Sequence, residues 1–184
     1  MSVPANMSTL NFSGVYTHNK VLTDVSSFPA MGIPEDVLTA LSRASDTGTL
    51  TVEHSTADGT ETIVFDYKTA EAGVEDVHDT FVLGAPERTV EVKGAGATAV
   101  SAVRTPLGEL EAGLAGGWDK DSEANGVVLV TARSLSADAW TSKMAQGFQE
   151  ANGERRLVRR IAFTSAAGEK HTACLVFDYK GTAN

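Results

Sequence analysis

One cysteine, Cys174, stands in 184 residues. The chain therefore forms no disulfide within itself, and packing alone has to hold it together. Long apolar runs are missing too. None approaches the roughly 20 residues that a membrane-spanning helix needs, so no transmembrane segment is expected. Cationic residues are scarce: 15 Lys and Arg face 24 Asp and Glu, for a net charge of −9. That balance argues against nucleic acid or an anionic membrane as a main partner, because phosphates are met by clustered Lys and Arg. The one basic cluster, Arg155, Arg156, Arg159 and Arg160, reads as the solvated face of a strand. The four histidines, His18, His54, His78 and His171, lack the spacing of metal ligands. No nucleophile elbow or phosphate-cradling glycine loop occurs either. Neither a metal nor a cofactor is expected. The opening "MSVPANMSTLNFSG" has no charged segment followed by an apolar one, so no secretory leader is expected and the cytoplasm is the expected location.

What the chain does have is alternation. Apolar and polar residues trade places over 12–19, 48–55, 60–68, 79–84, 88–93, 98–105, 108–115, 126–134, 155–164 and 170–179, as they do in strands with one buried face. Asp58-Gly59, Gly94 to Gly96, Asn125-Gly126, Asn152-Gly153 and Ala167-Gly168 supply turn signals. Two stretches read as helix. In "GIPEDVLTALSRAS", Pro34 suits a first helical position, Glu35 and Asp36 suit the first turn, and Val37, Leu38 and Leu41 share a face. In "SADAWTSKMAQGFQEANG", Ser136 suits an N-cap and Gly153 a stop, while Trp140, Met144 and Phe148 recur at every fourth position. The spacing predicts a helix over 136–152 packed on the barrel.

Two of the strands are nearly the same string: "IVFDYK" at 63–68 and "LVFDYK" at 175–180. A true repeat is similar along its full period, and "FSGVYTHNK" has no counterpart in "GVVLVTARS". Two strands of one domain have converged on one alternation. Phe65 and Phe177 fall on one side, and Asp66 and Asp178 on the opposite, solvent side.

From Phe12 onward the chain resembles the intracellular fatty-acid-binding proteins, of the calycin superfamily. "FSGVY" is similar to the family's opening strand, "TDVSSFPAMGIPEDVLTALSRAS" to its two lid helices, and "TFVLGAPERTVEV" to its Leu-Gly turn and following strand. "GGWDKD" is similar to its Trp-Asp turn, and "VTARSL" to the strand that carries an inward arginine. In the C-terminal motif Cys174 matches, but Val176 and Asp178 replace the family's arginine and tyrosine. The resemblance implies a mainly β fold: a single ten-stranded antiparallel β-barrel over 12–184 with a helical lid. The helix at 136–152 would be an insertion, and 1–11 a flexible tail.

Alternation places Arg133 on the face of Val127, Leu129 and Thr131. The resemblance makes that face inward, where a bound carboxylate would satisfy the guanidinium bidentately. The expected ligand-binding set is Arg133, Arg104, Thr131 and Leu129 with the lid residues Phe28, Val37 and Leu41. The implied activity is binding and carriage of an apolar small molecule, such as a fatty acid, terpenoid or pigment, with an acidic or polar head group. Barrels of this group also host enzymes, the luciferase barrels of dinoflagellates among them. The alternative is thus proton-transfer catalysis on a lipophilic substrate, for which His78 and His171 are the histidines to check.

Overall fold

In the computed structural model, which describes residues 2–72, 74–92, 96–136 and 139–182, ten strands form one antiparallel sheet that curls into a half-barrel. The strands are β1 (Gly14–His18), β2 (Thr49–Ala57), β3 (Thr60–Lys68), β4 (Val77–Val82) and β5 (Arg88–Val92). They continue with β6 (Gly96–Thr105), β7 (Val127–Ser134), β8 (Thr141–Ala151), β9 (Glu154–Thr164) and β10 (Lys170–Gly181). Their order, β4-β3-β2-β1-β10-β9-β8-β7-β6-β5, is a meander in which β1 pairs with β10. The two edge strands, β4 and β5, share no ladder. Asp79 and Arg88 join them instead, at 3.1 Å.

Turn chemistry sets the register. Asp58 and Gly59 have φ of 49° and 75°, and Asn152 and Gly153 have 54° and 71°. Positive φ at both central residues is the signature of the hairpin turn whose twist matches its strands. Asn152-Gly153 therefore joins β8 to β9 and does not stop a helix.

That is the main correction to the sequence reading. Residues 141–151 are a strand, paired with β7 and β9 along its length, and neither an extra helix nor an insertion is present there. Asp138, which would sit in that helix's first turn, lies outside the described residues, as do Gly94 and the start of the turn around it. Every-fourth spacing is a multiple of two as well as close to a helical turn. Trp140 thus precedes a strand face that Met144 and Phe148 share. The sheet also needs Gly147, since a Cβ there would lie 2.9 Å from Val127 Cγ1.

The segment 108–115 is not a strand. It begins within a single 3-10 turn (Leu107–Glu109) and then crosses the outer face of the sheet. There Leu114 and Trp118 pack with Val127, Ala145, Val158 and Val176 in a second apolar cluster. The main core lies inside the curl, around Phe12, Tyr16, Val52, Ile63, Phe148 and Leu157.

Helix α1 (Glu35–Thr47) sits over one end, after a 3-10 turn at Pro29–Met31. The other end is closed by α2 (Lys120–Asn125), capped by Asp119, which accepts from the Ser122 backbone at 2.8 Å. The N-terminal segment closes it further and is not a free tail: Val3 and Thr9 are buried, and Arg155 Nη1 donates to the Met7 carbonyl at 2.7 Å. Among the described residues no helix is long and apolar enough to cross a membrane.

Candidate functional site

Beneath α1 the curled sheet forms a partly open cavity of about 840 Å³. Its walls are mostly apolar: Phe28 and Pro29 from the loop, Leu38 and Leu41 from α1, and Leu50, Phe65, Tyr67, Phe81, Val100, Val130, Met144 and Phe177 from the strands. The lid is pinned at its C-terminal end. Tyr67 Oη donates to the Ala44 carbonyl at 3.0 Å, and Lys20 Nζ reaches Asp46 at 2.9 Å. A Cβ at position 48 would fall 2.0 Å from Tyr67 Oη, so only glycine lets the lid meet the strand here.

Strand parity decides which predicted residues see this space. On β7 the even residues Val130 and Ala132 line the cavity. The odd face, with Leu129, Thr131 and Arg133, looks outward. Leu129 packs on the outer cluster. Arg133 is half exposed and donates to Glu87 through Nε at 3.0 Å and Nη2 at 2.5 Å. It is not an inward anchor. Arg104 does point inside, but at the closed end, where Nη2 donates to the Thr9 carbonyl at 2.8 Å and Glu61 takes its other side. Phe28 and Leu41 border the cavity; Val37 faces out, and its neighbour Leu38 takes its place.

Two arginines stand in the cavity wall: Arg88, half exposed and paired with Asp79, and Arg159, which is enclosed by protein. The cluster "RRLVRR" is not one solvated face. Arg155 and Arg159 share the inner face with Leu157, whereas Arg156 and Arg160 lie on the outer one. Arg159 stands over two aromatic rings, 4.7 Å from the centroid of Phe65 and 5.3 Å from that of Phe177. Those are the phenylalanines of the twin strands, now β3 and β10. Its Nε donates to Gln146 Oε1 at 2.5 Å, across the β8–β9 ladder. Protein surrounds it, and what surface it keeps opens onto the cavity. Burial pushes its pKa down to about 10, with the charge of Asp79 opposing that shift. It remains a cation at neutral pH.

Of the histidines named beforehand, neither borders the cavity. His78 is exposed and pairs with Asp66 at 2.7 Å, and His171 lies 4.0 Å from Glu169. His18 lines the cavity instead, with Nε2 at 2.8 Å from Thr23 Oγ1 and its ring 5.6 Å from that of Phe177. Burial first, and the charge of Lys20 second, hold its pKa below the usual imidazole value. Cys174 sits half-buried against the outer cluster, and burial pushes its thiol up. Asp178 faces outward as expected but accepts from Arg156 Nε at 2.8 Å.

No protein-family model matches this chain, and no curated protein matches it.

Proposed function

We propose that this protein binds and carries an apolar small molecule inside the barrel. The observation that carries the reading is the cavity itself: about 840 Å³, walled by aromatic and aliphatic side chains under a helix. Cavities of roughly 300–1,000 Å³ with apolar walls and few polar groups are the usual form of small-molecule sites. A fatty acid, a terpenoid or a linear pigment has the right chemistry for such walls. The likeness of the ten-strand meander and its lid to a fatty-acid-binding-protein barrel supports the same reading. So does the scarcity of basic surface, which leaves phosphate-rich partners without a footprint. A single, half-buried thiol suits a reducing compartment such as the cytoplasm. Native mass spectrometry of protein purified from its own source is the test. A retained apolar molecule of a few hundred daltons supports carriage, and a barrel that neither retains nor takes up any lipophile contradicts it.

One observation favours a second reading, proton-transfer catalysis on a lipophilic substrate. His18 presents to the cavity an imidazole whose pKa burial holds below its usual value, with a hydroxyl partner, an arrangement that suits a general base. Turnover that a His18→Asn change abolishes while binding survives would select this reading.

A further inference from the structure

The meander closes through β1 and β10, so its two ends, β4 and β5, are edges that face each other across a slot. Among the described residues no ladder joins them. The base of the slot is tied. Past β4 the chain turns at Gly84, where φ is 77°. There the Leu83 and Gly84 N–H groups donate to the carbonyls of Glu61 on β3 and Ala102 on β6, at 2.9 and 2.8 Å. Val77, at the start of β4, pairs with Tyr67, and Val92, at the end of β5, with Gly96, so the slot runs from that turn to the lid. Both valines line the cavity, yet they are 48% and 41% exposed, whereas Phe65 and Phe177 in the same wall are 5% exposed. Apolar cavity wall meets water here. Arg88 spans the slot. Its Nη2 donates to Asp79 Oδ1 at 3.1 Å and to the Thr80 carbonyl at 3.3 Å, and its guanidinium lies 5.4 Å from the centroid of Phe81.

The slot and the lid differ in what opening them breaks. Helix α1 is tied by the Tyr67–Ala44 bond, by Lys20 to Asp46 and to the Ser42 carbonyl, and by Arg43 to Glu71 at 2.9 Å. Arg88 and Asp79 are each nearly half exposed. A pair of that kind contributes little in water, and parting it leaves no buried charge behind. The slot is the lesser disruption.

We propose that a lipophile enters and leaves the cavity sideways, through the slot between β4 and β5, and that Arg88 is its latch. This rests on the carriage reading and deepens it by assigning the route. When the Arg88–Asp79 pair parts, the guanidinium turns to water, and Val77, Phe81 and Val92 present an apolar path inward. Salt weakens an exposed pair, so exchange speeds up with ionic strength even for an uncharged ligand.

The test is stopped-flow fluorescence with the methyl ester of cis-parinaric acid, a probe on which salt has no charge to screen. Arg88→Gln and Asp79→Asn remove the latch from either side. Each should raise the association and dissociation rate constants together, by about twofold to fivefold, as the loss of an exposed ion pair does. The salt dependence of the parent should vanish in both. Val77→Trp, which narrows the slot from an exposed position, should slow both rates. Asp46→Asn and Arg43→Gln loosen the lid and should leave both rates near those of the parent. The inference is overturned if the lid variants speed exchange while the Arg88 and Asp79 variants do not. It is overturned equally if Arg88→Gln alters dissociation alone, which is the mark of a lost wall contact. A parent that takes up no ester removes the carriage reading itself.

Discussion

Of the arginines on the barrel's inner side, Arg104 and Arg159 meet different fates. At the closed end Arg104 pairs with Glu61, and Glu61 Oε1 also faces His54 Nε2 at 2.7 Å. His54 Nδ1 in turn accepts from the Phe12 backbone at 3.4 Å. Burial alone would raise the Glu61 carboxyl, but the hydrogen bond and charge of Arg104, and then those of His54, hold it below its usual range. Among the described residues, Arg159 has one hydrogen bond to an uncharged amide, two aromatic faces and a buried N–H facing no acceptor. The first arrangement is complete and closes the barrel floor. The second is incomplete and borders the cavity. Burial by itself therefore does not distinguish the two arginines; the partners that each one finds do.

The contrast can be broken by mutation, and the largest effect belongs to the complete network. Arg104→Met strips Glu61 of its counter-charge and should cost about 3 kcal/mol in denaturant unfolding, as breaking a buried pair does. Arg159→Met should move stability the other way. It replaces an unpaired buried cation with an apolar chain of similar reach, and a gain of about 1 kcal/mol in the ligand-free protein is expected. Loss of stability comparable to that of Arg104→Met would mean that Arg159 is held by contacts as structural as those at the floor.

A smaller effect is a pH dependence with a defined sign. The pKa values of His54 and His18 are both held below the ordinary imidazole value. The cause at His54 is burial, which outweighs the hydrogen bond and charge of Glu61. Below about pH 6.5 the unfolded chain binds protons that the folded chain does not. Thermal stability is thus highest above that pH and falls as acid is added toward the folded-state values. A melting temperature that rose on acidification through this window would show the sign to be wrong. The smallest expected effect is at Arg133. Its pair with Glu87 is half exposed, so Arg133→Gln should leave ligand binding unaltered and melting nearly so.

Much of the architecture was legible because a period of two survives in most strands. The twin strands read correctly as one alternation used twice, and their Phe65 and Phe177 both end beside the Arg159 guanidinium. Strand β8 was not legible. Trp140, Met144 and Phe148 satisfy both periods, and the polar Ser142 and Gln146 between them sit on the inner face, where alternation leads one to expect apolar residues. Leu110, Ala112 and Leu114 imitate a strand by recurring at every second position, although they belong to a loop that lies across the outer sheet face. The site failed on parity. Alternation grouped Arg133 with Leu129 correctly, but two apolar layers exist, one on each side of β7, and pattern alone does not say which is the cavity. Arg159 carried no distinguishing signal, since counting back by two from Arg159 and from Arg160 reaches Leu157 and Val158, which are equally buried in the two different apolar layers.

The central claim is that an apolar molecule occupies the cavity under α1, against the phenylalanines of the twin strands. Isotope-filtered NMR measures this directly, on the complex with a uniformly ¹³C-labelled long-chain fatty acid. The account predicts nuclear Overhauser contacts from the bound chain to the ring protons of Phe65 and Phe177 inside the barrel and to Phe28 and Leu41 at the lid. Contacts confined to residues of the outer sheet face, or no bound chain at all, would contradict it.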